Sequence, residues 1–128
     1  MIKFRAWDKE TNKYFKPTYQ AYVGRLEELT ITLSGRLQKR TCRGMVDESM
    51  FPGRYVVEQF TGLKDVNGKD IYEGDILENR KYRSIVKFAS GKFLADLIET
   101  IQTFDLIGET HGSKVIGNVH ENLELLKG

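Results

Sequence analysis

Residues 59–77 constrain the fold more than any other part of the chain, because turn-forming residues are concentrated there. The segment has the sequence QFTGLKDVNGKDIYEGDIL. Its glycines adopt positive φ at little cost, and an Asn-Gly pair is a strong signal for a tight turn between strands. The segment therefore predicts a compact turn system that leads into a strand beginning near residue 75. The residues that we expect to shape these turns are Gly62, Asn67, Gly68, Gly74 and Asp75.

Alternating apolar and polar residues predict short strands before this segment. Residues 2–7 alternate as a half-buried strand does, and residues 14–15 could return beside them as the second strand of a hairpin. Residues 29–33 alternate leucine and isoleucine with threonine, which favours an extended backbone, and Gly35 is expected to end that strand. Residues 55–60 form a further strand candidate after the Pro52-Gly53 turn.

After residue 75, short apolar runs between turns predict strands at residues 75–78, 84–88 and 114–117, and a helical turn is expected within residues 120–127. Residues 89–92 are expected to form a tight turn before Phe93. Short strands at this density are typical of small barrels that limit their exposed edges. The predicted fold is mainly β, with a small SH3-like barrel in the C-terminal half, an N-terminal β-hairpin or extension, and at most short helices.

The segment at residues 94–103 fits the periodicity of a helix and also that of a strand. Leu94, Leu97, Ile98 and Ile101 have the spacing of an amphipathic helix, whereas the threonines and isoleucines around them favour a strand. We expect a strand through about residue 95, and the sequence leaves residues 96–103 open between helix and strand.

Length and charge suggest how the chain is organised. A chain of 128 residues is expected to form one domain, residues 1–128, or two subdomains: a basic β extension at 1–60 and the SH3-like barrel at 61–128. Residues 1–43 contain ten Lys/Arg and four Asp/Glu, whereas residues 44–128 contain ten and fourteen. This asymmetry suits a face for an acidic partner, and it equally suits two complementary subdomains or ordinary solvated surface.

Three segments resemble the YopX-like family of phage and prophage proteins. They are IKFRAWDKET at residues 2–11, FTGLKDVNGKDIYEGDI at residues 60–76 and VIGNVHENLELL at residues 115–126. The family signature often has proline where this chain has Leu123. The resemblance implies a small protein acting in the bacterial cytoplasm during phage or prophage gene expression, and it implies no established activity.

Composition argues against a membrane protein and against a disulfide framework. No apolar run approaches the roughly 20 residues of a membrane helix, and Cys42 is the one cysteine of the chain. We therefore expect a soluble protein without a cofactor. The acidic loop from Asp65 lacks the spacing of a calcium loop, because glycine falls at its fourth position instead of its sixth. Gly68-Lys69 is followed by Asp70, which does not suit a phosphate loop.

Several side chains are of types that can act in catalysis. Arg40 and Arg43 could lower the pKa of the Cys42 thiol, His111 and His120 lie in loops, and Glu73 and Asp75 could pair as acid and base. Each residue also has a structural interpretation, and these carboxylates more often accept backbone N–H bonds in turns. No set of residues satisfies the requirements of a known active site. We therefore predict that the chain is not an enzyme, has no catalytic residues and binds no metal.

Two basic clusters are candidate contacts for nucleic acid. Cations neutralise phosphate, and an exposed tyrosine or Trp7 could stack on a base, whereas the simpler interpretation is a solubilising loop at each cluster. The leading hypothesis is a non-catalytic β module that binds an unknown protein partner or associates with itself. The alternative is a nucleic-acid-binding protein that uses a basic face. The candidate contacts are Arg36, Lys39, Arg40, Arg43, Arg80, Lys81, Tyr82 and Arg83.

Overall fold

The computed structural model describes residues 3–16, 18–20, 25–32, 36–41 and 44–126. Within these ranges the chain forms two compact units. The first contains Ala6–Val57, and the second contains Lys3–Arg5 together with the residues from Glu58 onward. No helix within the described ranges is long and apolar enough to span a membrane.

The described backbone is mainly β, which confirms the predicted class. Helical structure in the described ranges is limited to short 3-10 turns at Glu48–Met50, Leu106–Gly108 and Leu123–Leu126. The strands are β1 Phe4–Asp8, β2 Lys13–Tyr14, β3 Thr18–Gln20, β4 Arg25–Ile31, β5 Leu37–Thr41, β6 Gly44–Asp47, β7 Tyr55–Lys64, β8 Asp70–Tyr72, β9 Asp75–Glu78, β10 Arg83–Ala89, β11 Lys92–Leu97, β12 Thr103–Asp105 and β13 Lys114–Asn118.

The first unit contains an antiparallel sheet in the order β3-β4-β5-β6. Leu37 and Lys39 of β5 are buried while Arg40 is exposed, which is the alternation that a half-buried strand requires. The hairpin predicted at residues 2–15 is present within the described residues 4–14, and its register pairs Trp7 with Tyr14. The rings of these two residues also meet edge to face at 5.1 Å. Gly35, the predicted end of β4, lies outside the described residues.

A second sheet has the order β2-β1-β7-β8. Strand β7 is longer than predicted because it continues through Gly62 to Lys64. The pairing of β7 with β8 shifts register between Phe60 and Lys64, and Gly62 has φ +84° inside this irregular stretch. Glycine tolerates that backbone angle without strain.

The second unit contains a five-stranded antiparallel sheet in the order β12-β11-β10-β9-β13. Strands β9 to β12 form a meander, and β13 returns beside β9. The β10–β11 turn has positive φ at Ser90 and Gly91, as a two-residue hairpin requires. The core beneath the sheet is apolar and consists of Ile71, Leu77, Val86, Ala95 and Leu106. Closure of this sheet into an SH3-like barrel stays a prediction.

Residues 96–103 do not form a helix. Strand β11 extends to Leu97, the backbone bends at residues 98–101, and β12 begins at Thr103. The register of β11 and β12 places Ala95 opposite Phe104 on the core side. The strand pattern therefore continues further than the sequence predicted, and the apolar residues with helical spacing are divided between β11 and the bend.

Candidate functional site

The central turn system is organised by Asp65, which follows β7 directly. Its Oδ1 accepts the backbone N–H groups of Asn67 and Lys69 at 2.8 and 2.9 Å, and its Oδ2 accepts that of Val115 at 2.9 Å. Burial raises the pKa of Asp65, but these three backbone donors outweigh burial, so the pKa is lowered overall. Gly68, in the same turn, has φ +79°. Asp65 therefore closes the β7–β8 turn and ties it to β13.

A buried ion network lies beside this turn system. Arg5 places Nε 2.8 Å from Oε1 of Glu58 and Nη2 2.7 Å from Oδ1 of Asp75. His120 adds its Nε2 at 3.2 Å from Oε2 of Glu58. Residue exposure is only 4% for Glu58 and 2% for Asp75. The network joins the start of the chain to β7, β9 and the segment after β13.

The carboxylates in this region mainly hold the backbone. Oδ2 of Asp75 accepts the N–H of Tyr72 at 2.8 Å, and Oε1 of Glu73 accepts the N–H of Gln59 at 2.9 Å. Burial raises the pKa of Asp75, although the Tyr72 N–H and the Arg5 guanidinium oppose that shift. Gly74 has φ +82°, and a side chain there would collide with the Glu58 carboxylate. These contacts give the network a structural role.

The first basic cluster is residues 36–43. Side chains alternate between the two faces of β5, so the basic residues of this cluster do not share one face. The Arg36 guanidinium pairs with the Asp47 carboxylate, and this hydrogen-bonded partner lowers the pKa of Asp47. Lys39 is buried close to the Tyr55 hydroxyl. Arg40 is exposed, whereas Arg43 and Cys42 lie outside the described residues. Of the described members, Arg40 is the one whose position suits an approaching polyanion.

The second basic cluster forms the connection between β9 and β10. Asn79 Oδ1 accepts the backbone N–H groups of Lys81 and Tyr82 at 2.8 and 3.0 Å, which fixes a tight turn with Arg80 and Lys81 exposed. Arg83 pairs with Glu78 at 3.3 Å. Arg80 and Lys81 have no ion-pair partner within the described part of the chain. We call residues 79–83 the cationic loop.

Tyr82 is held in place by two contacts. Its hydroxyl donates a hydrogen bond to Oε2 of Glu109 at 2.6 Å, and this bond to a carboxylate is the main cause of its raised pKa. Its ring meets that of Phe104 edge to face, with the centroids 5.8 Å apart. Tyr82 therefore connects the cationic loop with β12, and its ring is already engaged by protein.

Strand β12 is the edge of the five-stranded sheet, and no described strand pairs with its outer side. Three apolar side chains on or beside this strand are open to solvent. The exposure is 100% for Ile101, 39% for Phe104 and 68% for Ile107. We call these three residues together with β12 the edge patch.

A groove of about 390 Å³ lies beside the edge patch. It is lined by the cationic loop, by Glu78 and by Glu99 of the β11–β12 bend. A second groove of about 270 Å³ shares Glu78, Asn79 and Arg80 with the first and reaches Lys114. The cationic loop therefore lines two open grooves in the second unit.

The remaining candidates are separated in the described structure. His111 is exposed in a loop, His120 faces Glu58, and Trp7 is buried against Tyr14. Among the side chains that the structure describes, no group of three or more His, Cys, Asp or Glu is arranged as metal ligands are.

Sequence reasoning missed two features of the site. The pairing of Arg5 with Glu58 spans 53 residues and leaves no local pattern. The edge patch had a signal in the strand-forming residues Thr103 and Phe104, but β12 has only three residues. A strand of that length is too short for alternation to be recognised.

The fold and the site define a small, mainly β protein with a buried ion network and an exposed sheet edge. A model described as YopX protein matches residues 3–127, and the chain belongs to the YopX family. The resemblance of its three signature segments is thereby confirmed. A search among curated proteins found no match.

Two solved structures have a similar fold. One is protein EF1440 from Enterococcus faecalis, with a TM-score of 0.60 and 26% identity, covering 99% of each chain. The other is protein yopX from Bacillus subtilis, with a TM-score of 0.60 and 23% identity, covering 100% of this chain and 98% of that one. At this level of identity, the likeness to the second structure concerns the fold alone.

Proposed function

We propose that this chain is a non-catalytic phage or prophage module of the bacterial cytoplasm that binds a protein partner at the edge patch. The partner adds an extended segment to β12 and continues the five-stranded sheet. The observation that carries the proposal is the outer edge of β12, which no described strand pairs with and which has three exposed apolar side chains on or beside it. Strand addition of this kind draws affinity from main-chain hydrogen bonds and specificity from side-chain pockets.

The backbone of β12 supports this mode of binding. The Leu97 N–H donates to the Gln102 carbonyl, and the register then makes Ala95 and Phe104 a hydrogen-bonded pair. The main-chain groups of Thr103 and Asp105 consequently point away from β11. The N–H groups of both residues and the Thr103 carbonyl are open to an incoming strand, whereas the Asp105 carbonyl begins the 3-10 turn at Leu106–Gly108.

The side chains support it as well. Phe104 lies on the core side of the sheet, opposite the fully buried Ala95. A partner side chain beside Phe104 would extend the apolar core, whereas water now contacts that ring. Thr103 and Asp105 face the other side, where they contact Asp96 and Lys92. The edge therefore presents an apolar face and a polar face to a partner.

The test is a selection of displayed peptides on the folded protein, followed by affinity measurements on edge variants. Peptides bound at β12 should lose most of their affinity for Thr103→Pro, which removes an outward N–H, and for Phe104→Ser. Met50→Ser is the matched control, because Met50 is an exposed apolar residue of the first unit. Thermal unfolding of each variant separates lost binding from lost folding.

Two outcomes contradict the proposal. The selection could enrich no specific peptide, or the enriched peptides could bind Thr103→Pro and Phe104→Ser as well as they bind the unchanged protein. The molecular mass of the protein in solution could rise at high concentration. If Phe104→Ser abolishes that rise, the partner is a second copy of the chain.

Nucleic-acid binding is the second candidate. It is favoured by Arg80 and Lys81 of the cationic loop, which are exposed and have no ion-pair partner among the residues that the structure describes. Against it, Arg36 is paired with Asp47 and the Tyr82 ring packs on Phe104. A fluorescence-anisotropy titration with short DNA and RNA at two salt concentrations tests it. Phosphate contacts predict affinity that falls steeply with salt and is lost in Arg80→Ala/Lys81→Ala.

A further inference from the structure

We propose that the cationic loop selects the partner, so that the segment added to β12 carries acidic residues at the end that lies beside Thr103. The inference rests on the proposed function, because it concerns the same edge patch. It adds the chemistry of the partner: an extended segment with an apolar residue for Phe104 and carboxylates for Arg80 and Lys81.

The loop and the edge patch are neighbours through specific contacts. Tyr82 of the loop packs on Phe104 of β12, and Glu99 of the bend before β12 lines the same groove as Arg80 and Lys81. The Ile98 N–H also donates to the Arg83 carbonyl at 3.1 Å, which fixes the bend against the start of β10. An added strand that passes Thr103 and continues beyond the N-terminal end of β12 therefore enters the groove beside the cationic loop.

The charges of the groove favour an acidic segment. Its lining contains the cations Arg80, Lys81 and Arg83 and the acids Glu78 and Glu99. Arg83 and Glu78 neutralise each other, which leaves two cations facing the single carboxylate of Glu99. Residues 44–128 contain fourteen acidic and ten basic residues, so the loop is a local positive site in an acidic part of the chain. An acidic segment is attracted here and repelled elsewhere.

The loop is held in position before a partner arrives. The two hydrogen bonds to Asn79 Oδ1 and the bond from the Asn79 N–H to the Tyr82 carbonyl at 3.1 Å fix the turn. The Tyr82 hydroxyl is bonded to Glu109, which anchors the other end of the turn. Little backbone entropy is then lost when the cations meet a carboxylate.

The test compares two fluorescent peptides of about ten residues that alternate valine with threonine. One ends in two glutamates and the other in two lysines. Anisotropy titrations at low and high salt are carried out with the unchanged protein and with Arg80→Glu/Lys81→Glu. Lys9→Glu/Lys13→Glu is the matched control, because it makes the same change in net charge at exposed positions of the first unit.

We expect the glutamate peptide to bind roughly fivefold to tenfold more tightly than the lysine peptide at low salt, the range for two exposed ion pairs. The preference should shrink at high salt, reverse in Arg80→Glu/Lys81→Glu and persist in Lys9→Glu/Lys13→Glu. Thr103→Pro should weaken the binding of both peptides.

The other outcomes overturn the inference in different ways. The two peptides could bind with equal affinity, with no change in Arg80→Glu/Lys81→Glu and no binding in Thr103→Pro. That result would contradict the acidic preference and support strand addition. A preference for glutamate that Thr103→Pro leaves intact would place the acid away from β12 and contradict the proposed function too. No binding of either peptide would contradict both proposals. Tighter binding of oligothymidylate, lost in Arg80→Glu/Lys81→Glu, would identify a polynucleotide as the occupant.

Discussion

Arg5 and Asp75 form an ion pair of 2.7 Å that joins the start of the chain to the central turn system. The same guanidinium contacts Glu58, so one cation bridges two buried carboxylates. Arg5→Ala is expected to lower the free energy of unfolding by about 3 kcal/mol, because it leaves buried charge uncompensated. Urea unfolding measures the loss. Lys3→Ala, just before the same strand, is the control, since Lys3 is half exposed in its pair with Asp70. Equal losses for the two variants would contradict a buried network.

The burial of Asp75 predicts a particular pH dependence of stability. Burial raises the folded-state pKa of Asp75 above its ordinary value of 3.8. The unfolded chain then loses its proton first as the pH rises, which favours the unfolded state. The stability of the unchanged protein relative to Asp75→Asn should therefore fall as the pH rises from 3.8 towards the raised pKa and level off above it. A relative stability that rises over this range would contradict the assignment.

Asp8 is expected to show the opposite slope. Arg54 binds both oxygens of the Asp8 carboxylate, at 3.1 and 3.0 Å, and this pairing lowers the pKa of Asp8 below its ordinary value of 3.8. The ionised Asp8 carboxylate contributes fully to stability at pH values above its ordinary pKa. This contribution is lost as the pH falls towards the lowered pKa. Urea unfolding of Asp8→Asn across the acidic range, compared with the unchanged protein, measures this contribution. A difference in the free energy of unfolding that does not change with pH would contradict the lowered pKa of Asp8.

Sequence patterns were sufficient for the strands that alternate and for the turns that contain glycine. Alternation predicts β1 and residues 29–31 of β4, short apolar runs between turns predict β9, β10 and β13, and Asn67-Gly68 does form a tight turn. Strand β5 was not predicted, because Lys39 occupies an inward position that an apolar residue normally fills. A buried lysine beside a tyrosine hydroxyl is a tertiary arrangement, and local periodicity carries no trace of it.

The candidate site was harder to predict than the fold. Arg80 and Lys81 could be identified from charge, but the packing of Tyr82 on Phe104 brings together residues that are distant in sequence. Edge position is likewise a property of strand order, which a single sequence does not encode locally. The cationic members of the predicted nucleic-acid contacts rest on charge, and charge does not distinguish Arg80, which is exposed, from Lys39, which is buried.

Gly74 and Gly68 should differ in their tolerance of a side chain. Both have positive φ, +82° and +79°, so alanine at either position is strained by about 1 kcal/mol. A Cβ on residue 68 meets open space, whereas a Cβ on residue 74 meets the Glu58 carboxylate. Gly74→Ala should therefore destabilise the protein clearly more than Gly68→Ala, and Gly68→Val should cost more than about 1 kcal/mol. Denaturant melts that rank the two alanine variants in the reverse order would contradict the close approach.

Asp65 is expected to matter more than its place in a turn suggests. Asp65→Ala removes the acceptor for three backbone N–H groups, including that of Val115 on β13, 50 residues away. Unsatisfied buried donors cost about 1–3 kcal/mol each, so a loss on the order of 3 kcal/mol is expected. Hydrogen exchange should also become faster at the Val115 amide. Asn79→Ala is the control, because Asn79 holds only its own turn, where water can replace the lost acceptor. If both variants lose the same stability and the Val115 amide stays protected, the link between the turn and β13 contributes little.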